Sequence, residues 1–547
     1  MRIQTRLSPF AVLIAATTAL ANNGDVVVTT TKLEGDAITG IGNLARLDNL
    51  EVNNAGTVWS EWDTDIADTT ADSIVLRDDA VVFQEGQSTS MPAGFTLGSF
   101  DSIRANNNGD VVYNLFFDPF TVGVDSGLFF NETLVMQEGD PVAALSPGTV
   151  QLGFFDVRIN DANQVLVMGT VDDPNIPSAV DQALIRYDLD AAGTILGSTV
   201  IAVEGDLTSF GATITTIENS SQELALNDSG SVIWAGDTDA PSSVDGFIAI
   251  DSLVIAIEGS ASPIEGRNWQ LLSSPEVDLN NNGDHVHSGQ LTGDSASSRL
   301  LVKNGEKFRQ TGDEPPGFPG FSLTSFGTGP LLINDRGEVL WYGDWDDPNT
   351  SIDSGLFLDD TLLLREGDAV GGLTIDSIRG VTDGYAMSDD GSAIVVEVLF
   401  EGNLDGLVRI TRQGSVTTIS GCIPSASTLT LTSANPVIGG TSTFAMDASP
   451  YATALASIYY SIEQLDTGIG CGLNLPGIGE LLLAPGVTGS VPLPPFAGAP
   501  TTVDVTWPDS SALIGVELFF QGLFVDATLS APNPARLTNA LGVTFGV

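Results

Sequence analysis

Positive charge is scarce in this sequence. Its 547 residues include 70 acidic residues but only 19 lysines and arginines, which gives a formal net charge of −51. Nucleic-acid binding needs a basic patch that neutralises phosphates, and anionic lipid surfaces also attract basic residues. The composition therefore excludes both as partners. It suits divalent cations, cationic partners or a salty medium, in which screening over ~8 Å weakens the repulsion between like charges.

Long hydrophobic runs are also missing once the N-terminus is passed, since crossing a bilayer takes about 20 apolar residues. The first 21 residues have the parts of a signal peptide: Arg2 and Arg6, the apolar run 7–18, and the small-x-small sequence Ala19-Leu20-Ala21. We expect cleavage before Asn22 and export to the extracellular medium or the cell surface. The mature chain is expected to have no transmembrane segment, and the sequence indicates no oligomeric state.

Cysteine and histidine are nearly absent, with two residues of each. In the oxidising environment that follows export, Cys422 and Cys471 are expected to pair as a disulfide. His285 and His287 would share one face of a strand, but a zinc site there needs a third ligand, so a packing or surface role is favoured. No nucleophile, base and orienting acid stand out as a set, so no catalytic residue is predicted.

Two short anchors recur with a period of about 54 residues. One reads Asn-x-x-Gly-x-Val, and its copies begin 53, 54, 67, 53, 54 and 54 positions apart, at Asn53, Asn106, Asn160, Asn227, Asn280, Asn334 and the degenerate Ser388. The other reads Glu-Gly-Asp and alternates with it, at Glu34, Glu138, Glu204 and Glu366, with looser copies at Glu85, Glu258 and Thr311. Because both recur throughout, they are interpreted as structural turns in which Gly supplies a positive φ and Asn or Asp bonds its own turn.

Between the anchors the pattern predicts about four short antiparallel strands in each repeat. Runs of β-formers flank two-residue turns that tolerate positive φ, at Asp78-Asp79, Asn131-Glu132, Asp251-Ser252, Asn304-Gly305 and Asp359-Asp360. Four strands repeated seven times predict an all-β, seven-bladed β-propeller over residues 22–421. Residues 25–33 are expected to help close the ring at the last blade, whose own outer strand would be Val416–Ser420. The extra residues of the third repeat, around Ala192-Gly193, predict one longer hairpin.

Both anchors disappear after residue 421. Alternating apolar and polar runs separated by Gly- and Pro-rich turns fill residues 422–547, as in Thr428–Thr432, Ile458–Ile462 and Val516–Leu523. About 126 residues of this kind suit a small β-sandwich domain.

The repeat resembles that of secreted bacterial repeat proteins whose biochemistry is uncharacterised. The shared motifs are Leu226–Val232, Ser354–Phe357 and Arg365–Asp368, and the resemblance covers roughly residues 34–420. The tail, with Phe519–Leu523 and Leu537–Leu541, is similar to a C-terminal module of exported bacterial proteins. The resemblance implies a propeller-like fold and assigns no catalytic residue.

The acidic turns offer candidate calcium ligands. The turn at residues 278–284 has oxygen donors spaced like the opening of a calcium loop, at Asp278, Asn280, Asn282 and Asp284, with Gly283 at the sixth position. Gly289 stands where a bidentate Glu is expected. Aspartates also recur in pairs seven or eight residues apart: 65 with 72, 118 with 125, 173 with 181, 237 with 245, and 346 with 353. These aspartates either ligate calcium or cap their hairpins.

Three functions remain open on sequence alone. The first is a secreted or cell-surface binding protein that uses the propeller to hold a glycan or a protein. The second is an extracellular carbohydrate-active enzyme with a carboxylate pair in the central funnel. Residues that differ from the repeat pattern in single repeats and that meet at the ring axis would favour this function. The third is a structural envelope or matrix component. Calcium is the one cofactor that the sequence suggests, and the fold alone does not choose among these functions.

Overall fold

The structure is a computed structural model. It describes residues 26–88, 90–174, 181–218, 222–423, 425–432, 436–447, 454–465, 471–484, 489–508, 510, 513–525 and 535–546. The signal peptide predicted for residues 1–21 lies outside these residues. Two bodies make up the fold, an N-terminal body, Val28–Ile410, and a C-terminal body that holds Thr411–Val547.

The described chain is all-β, which confirms that part of the prediction; one turn of 3-10 helix at Ser295–Ser297 is the exception. In the described part of the chain, no helix is long and apolar enough to cross a membrane.

Seven antiparallel sheets form the N-terminal body. The chain begins with β1 (Val26–Leu33). The first sheet contains β2 (Ala37–Ile38), β3 (Gly42–Val52), β4 (Val58–Thr64), β5 (Ser73–Arg77) and β6 (Ala80–Gln84). The second contains β7 (Thr96–Ala105), β8 (Val111–Asp118), β9 (Ser126–Phe130) and β10 (Thr133–Gln137). The third contains β11 (Val150–Ile159), β12 (Gln164–Asp172), β13 (Asp181–Leu189) and β14 (Ile195–Val203).

In each of the remaining four sheets the first strand is interrupted, and its two short segments both pair with the next long strand. The fourth sheet contains β15 (Ile214–Ile217), β16 (Leu224–Leu226), β17 (Val232–Thr238), β18 (Phe247–Ile250) and β19 (Leu253–Ile257). The fifth contains β20 (Trp269–Leu271), β21 (Val277–Leu279), β22 (His285–Leu291), β23 (Arg299–Lys303) and β24 (Glu306–Gln310). The sixth contains β25 (Leu323–Ser325), β26 (Leu332–Ile333), β27 (Val339–Trp345), β28 (Ser354–Leu358) and β29 (Thr361–Arg365). The seventh contains β30 (Ala369–Val370), β31 (Leu373–Ile378), β32 (Tyr385–Met387), β33 (Ala393–Phe400) and β34 (Leu404–Arg412), together with β1.

The predicted two-residue hairpins are confirmed. Asp78, Asn131, Asp251, Asn304 and Asp359 each have a φ of about +50° and each join two paired strands. A short polar side chain tolerates this conformation because it bonds the neighbouring backbone. The longer hairpin of the third repeat is also confirmed, between β13 and β14.

The first strand of the chain pairs with β34 and so occupies the outer edge of the seventh sheet. The expectation that Val416–Ser420 would be the outer strand of that sheet is wrong. Those residues belong to β35 (Ser415–Ile419), which pairs with a strand of the C-terminal body instead. The physical reason is that β1 already fills the hydrogen-bonding edge of β34, while Val416 packs against the C-terminal hydrophobic core.

Neighbouring sheets of the N-terminal body share their hydrophobic side chains. One cluster joins the first and second sheets through Trp59, Phe83 and Tyr113, and another joins the seventh to the first through Val395 and Leu44. Trp234 and Trp341 occupy equivalent positions, and the indole N–H of each donates to a turn carbonyl at 2.9 Å. Both rings are buried in clusters between sheets, so they pack the sheets together.

The C-terminal body has a five-stranded sheet, a three-stranded sheet and a short hairpin. Its strands are β35, β36 (Thr428–Leu431), β37 (Thr441–Asp447), β38 (Leu455–Ser461), β39 (Leu473–Leu475), β40 (Gly479–Leu481), β41 (Gly489–Pro492), β42 (Thr501–Thr506), β43 (Glu517–Val525) and β44 (Ala535–Thr544). Phe444 from the smaller sheet and Phe520 from the larger one meet in a single core. The predicted disulfide between Cys422 and Cys471 is present in this body.

Candidate functional site

The Asn-x-x-Gly turns meet one another at the centre of the N-terminal body. Six of the seven turns begin with an Asn whose side-chain oxygen accepts a backbone N–H of its own turn, as Asn106 does from Asp110 at 2.9 Å, and in the seventh turn Ser388 Oγ accepts from Ala393 N. This is the role expected from the sequence. The amide nitrogen of the same side chain donates to the turn of the next sheet, and this link was not foreseen. Asn106 Nδ2 lies 3.0 Å from the carbonyl oxygen of Asn160.

The residue after each Asn extends these links into a closed circle. Its backbone N–H donates to the following turn at 2.6–3.0 Å, from 54 to 107, 107 to 161, 161 to 228, 228 to 281, 281 to 335 and 335 to 389. The last link runs from the N–H of Asp390 back to Asn54 Oδ1 at 2.9 Å. Seven turns are thus hydrogen-bonded head to tail.

Beside this circle lies a cavity of about 170 Å³, which we name the central pocket. One residue from each sheet lines it at the same position, two residues before the turn: Glu51, Arg104, Arg158, Ala225, Asp278, Leu332 and Ala386. The residues on either side of this position, such as Leu50 and Val52, belong to the hydrophobic cluster, and Leu50 also lines the pocket. Four sheets therefore present a charged side chain to the pocket, and three present an apolar one.

The two arginines of the central pocket are neutralised locally. Arg104 Nη2 lies 2.9 Å from Asp383 Oδ1, and Arg158 Nη1 lies 2.6 Å from Asp156 Oδ2. Each guanidinium also donates to the carbonyl of the residue before it. Burial alone would lower the pKa of Arg104, but the surrounding carboxylates, Asp383 first among them, raise it. Burial lowers the pKa of Arg158, with Asp156 opposing that effect, but a guanidinium stays charged in proteins. Both side chains are therefore cations held in place on two sides.

Three carboxyl groups of the central pocket, those of Glu51, Asp278 and Asp389, bind protons more tightly than usual. Burial raises the pKa of Glu51 to about 7, against the opposing effect of Arg104. Burial raises the pKa of Asp278 to about 6, although the N–H groups of Ile333 and Leu279 oppose it. Burial, aided by the aspartates of neighbouring turns, raises the pKa of Asp389 to about 8. At neutral pH the pocket thus holds fixed cations beside carboxyls that exchange protons.

The predicted calcium ligands are engaged in hydrogen bonds within and between turns. Asp278 accepts the N–H of Leu279 at 2.8 Å and that of Ile333, in the sixth sheet, at 2.7 Å. Asn280 caps its own turn, while Asp284 accepts from Asn304 Nδ2 at 2.8 Å. Asn282 donates to the next turn. Calcium at these four residues stays a prediction.

Among the described residues, only Cys422, Cys471 and Glu480 bring three potential metal-ligand atoms of His, Cys, Asp or Glu within 4.8 Å of one another. The two cysteines of this group form the disulfide. Glu480 accepts the N–H groups of Cys422, Ile423 and Gly472 at 2.6–2.7 Å, so this carboxylate holds the two ends of the disulfide in place.

The Glu-Gly-Asp turns and the aspartate pairs are parts of one feature that the sequence analysis treated separately. Asp125 opens the third strand of its sheet, and its N–H donates to Glu138 Oε2 at 3.0 Å. Burial and the neighbouring Asp125 carboxyl together raise the pKa of Glu138 to about 7. Equivalent carboxyl pairs are Glu85 with Asp72, Glu258 with Asp245, and Glu366 with Asp353.

The histidines lie apart from the central pocket. His287 is buried against Trp269 with ring centroids 5.4 Å apart, and burial lowers its pKa to about 4, so the ring is neutral. His285 is half-buried at the start of β22. The favoured packing role is thus confirmed for His287.

Known proteins resemble this chain only distantly. A family of unknown function, DUF7453, matches residues 191–407. No curated protein sequence matches the chain. Solved structures similar to it include an oligogalacturonate lyase from Vibrio parahaemolyticus, at 12% identity over 71% of this chain and 98% of that one, with a TM-score of 0.35. A gluconolactonase from Xanthomonas campestris is 10% identical over 72% of this chain and 91% of that one, with a TM-score of 0.27. Likenesses this weak carry no argument about activity.

Proposed function

We propose that the N-terminal body is a seven-bladed β-propeller and the C-terminal body a β-sandwich, in a protein exported by its signal peptide. Three observations support the propeller: the closed circle of seven turns, the hydrophobic clusters between neighbouring sheets, and the pairing of β1 with β34. In this proposal β1 closes the ring by completing the last blade, which removes an exposed sheet edge.

We propose further that the protein is a secreted or cell-surface binding protein whose ligand, a glycan or a protein, enters the central pocket. The observation that carries this proposal is the set of charged side chains two residues before the turn, Glu51, Arg104, Arg158 and Asp278. The fourth, sixth and seventh sheets form with Ala225, Leu332 and Ala386 at that position, so the scaffold does not need charge there. Burying charge costs stability unless each group is paired. Ligand recognition would explain why charged side chains are kept at this position although the fold does not need them.

Glu51 favours a second candidate, a carbohydrate-active enzyme. With a pKa of about 7, this carboxyl is partly protonated at neutral pH, as a general acid for glycoside cleavage needs to be. Asp278 ionises at lower pH and would be the second carboxylate of the pair. Glu51 and Asp278 both line one cavity. An enzyme site is expected to arise in this way, from residues that depart from the repeat and meet in one place.

The experiment that tests these proposals incubates the mature chain, residues 22–547, with a panel of marine and cell-wall polysaccharides. Each well contains calcium or a chelator, and bound protein and released reducing ends are recorded together. Retention without product supports the binding function, and retention that needs calcium also supports a calcium site in the acidic turns. Released oligosaccharide supports the enzyme instead. If neither is observed, the glycan proposals fail and a protein ligand is tested next by the same retention assay.

A further inference from the structure

The central pocket contains more carboxyl groups than its arginines can balance. Two guanidinium groups line it, those of Arg104 and Arg158. Seven carboxyl groups line it as well, those of Glu51, Asp161, Asp228, Asp278, Asp335, Asp383 and Asp389. Arg104 is held by Asp383, and Arg158 by Asp156. Glu51 and Asp278 accept hydrogen bonds from backbone N–H groups, and Asp389 accepts one from the Asn107 amide. A cation entering the pocket would supply the missing positive charge.

A second observation independently points to a ligand. Gln222 is 8% exposed and lines the same cavity, and its Nε2 has no hydrogen-bond partner among the described residues. A buried amide nitrogen without an acceptor costs about 1–3 kcal/mol in proteins generally, and it is usually explained by a group missing from the structure. The ligand therefore brings a hydrogen-bond acceptor as well as a positive charge.

The wall of the pocket also has an apolar part. Leu332 and Ala386 belong to the sixth and seventh sheets, which are neighbours linked by the hydrogen bond from Asp335 N to Asp389 O. A ligand that fits this wall has a nonpolar face of its own. The cavity of about 170 Å³ is smaller than a drug-sized site, so it holds one small ring or chain end at a time.

A bare metal ion does not fit these features. Calcium takes six to eight oxygen ligands at 2.3–2.6 Å, and its ligands have to converge on one point. Among the described residues, the carboxyls of the central pocket form no group of three whose oxygens lie within 4.8 Å of one another.

We propose that the central pocket binds an amino sugar, with the protonated amine between Glu51 and Asp278, a hydroxyl oxygen accepting from Gln222, and the C–H face of the ring against Leu332 and Ala386. This proposal rests on the binding function proposed above and gives it a ligand class. A lysine side chain has the amine and an apolar stem but no hydroxyls for the buried donors. The amino sugar matches all three parts of the wall.

The test compares three probes by titration calorimetry on the mature chain. It is run at about pH 7, where Asp278 is ionised, Glu51 is about half-ionised and amines stay largely protonated, and at roughly 0.15 M salt to screen the acidic surface. The probes are a glucosamine tetramer, the N-acetylglucosamine tetramer of equal length, and Nα-acetyl-lysine amide. We expect saturable one-site binding of the glucosamine tetramer, with both other probes weaker by about tenfold or more, the ratio that one charged hydrogen bond supplies.

Three variants locate the binding. Glu51→Gln is expected to weaken the glucosamine tetramer by about tenfold. Gln222→Leu is expected to weaken it, because it removes the unpartnered donor Nε2. The exposed Glu265→Gln changes the net charge equally and is expected to leave binding unchanged. Loss of affinity in Glu265→Gln as large as in Glu51→Gln would show surface attraction and overturn the site.

The ligand class and the binding function fail in different ways. Equal binding of the N-acetylated tetramer overturns the amine and leaves a glycan-binding protein. Equal or tighter binding of the lysine probe overturns the amino sugar in favour of a basic protein partner. If no probe binds although a polysaccharide of the wider panel is retained, only the ligand class fails. If the panel retains nothing either, the glycan-binding function fails with it.

Discussion

Glu61 provides the sharpest test of the electrostatics of this fold. Its side chain is 8% exposed within β4, where Asn49 Nδ2 donates to one carboxyl oxygen at 2.6 Å and Ser73 Oγ donates to the other at 3.3 Å. Burial raises the pKa of Glu61 from 4.5 to about 7 despite these donors. Glu61→Gln keeps the shape and both hydrogen bonds, since its amide oxygen accepts from Asn49 and its nitrogen donates to Ser73. The variant removes only the ionisation.

The size of the effect follows from the pKa of the folded and unfolded states. Below pH 4.5 the carboxyl is protonated in both states, so its contribution to stability is fully present. As pH rises towards about 7, the unfolded state releases its proton first, and the free energy of unfolding falls by about 1.4 kcal/mol per pH unit. The wild type therefore loses about 3 kcal/mol over this window, and Glu61→Gln does not.

The assay is urea denaturation of both proteins at several pH values between about 4 and 9. The difference in unfolding free energy between Glu61→Gln and the wild type should move by about 3 kcal/mol in favour of the variant across that range. The exposed Glu265→Gln controls for the change in net charge. A difference that stays constant with pH would show that Glu61 titrates normally and would refute the reasoning.

Further predictions follow from the central turns, the carboxyl pairs, the disulfide and the acidic turn. Asn106→Asp keeps the cap of its own turn but loses the donor to the next sheet, so urea denaturation should show a loss of about 1–3 kcal/mol. Glu138→Gln should reduce the loss of thermal stability between about pH 5 and pH 8, because the pKa of that carboxyl is raised to about 7 and the glutamine does not ionise. Cys422→Ser should destabilise the C-terminal body by about 4 kcal/mol and leave the thermal transition of the N-terminal body unchanged. Calcium should raise the melting temperature of the wild type and not of Asp284→Asn; an equal rise in both would place the ion elsewhere.

Local features of the fold were predictable from sequence because short-range chemistry determines them. Asn304-Gly305 and the equivalent acidic turns specify positive φ, and each joins two strands as predicted. The disulfide was predictable because two cysteines allow one pairing. A strand pattern does not name its partner, however, and Val416–Ser420 was assigned to the wrong sheet for that reason.

The central pocket was harder to predict because its residues have no chemical type in common. Glu51, Arg104 and Ala225 occupy one position of the repeat, so the position looks variable in the sequence. Counting back two residues from each Asn-x-x-Gly turn would have found the whole set. Asp278 was noticed as a calcium ligand, but its side chain reaches Ile333 in the next sheet. The carboxyl pairs were missed because Asp125 and Glu138 are 13 residues apart and meet only when their hairpin forms.

The central claim is that ligand binding takes place in the central pocket, and filling the pocket tests it most directly. Leu332→Trp adds bulk to the apolar wall without changing any charge, and Leu253→Trp makes the same exchange at a site that is 68% exposed. Both variants are measured against the polysaccharide of the panel that the wild type retains best. We predict that Leu332→Trp weakens retention by about tenfold or more while Leu253→Trp binds like the wild type. Equal retention by both variants would contradict the claim and place the ligand outside the pocket.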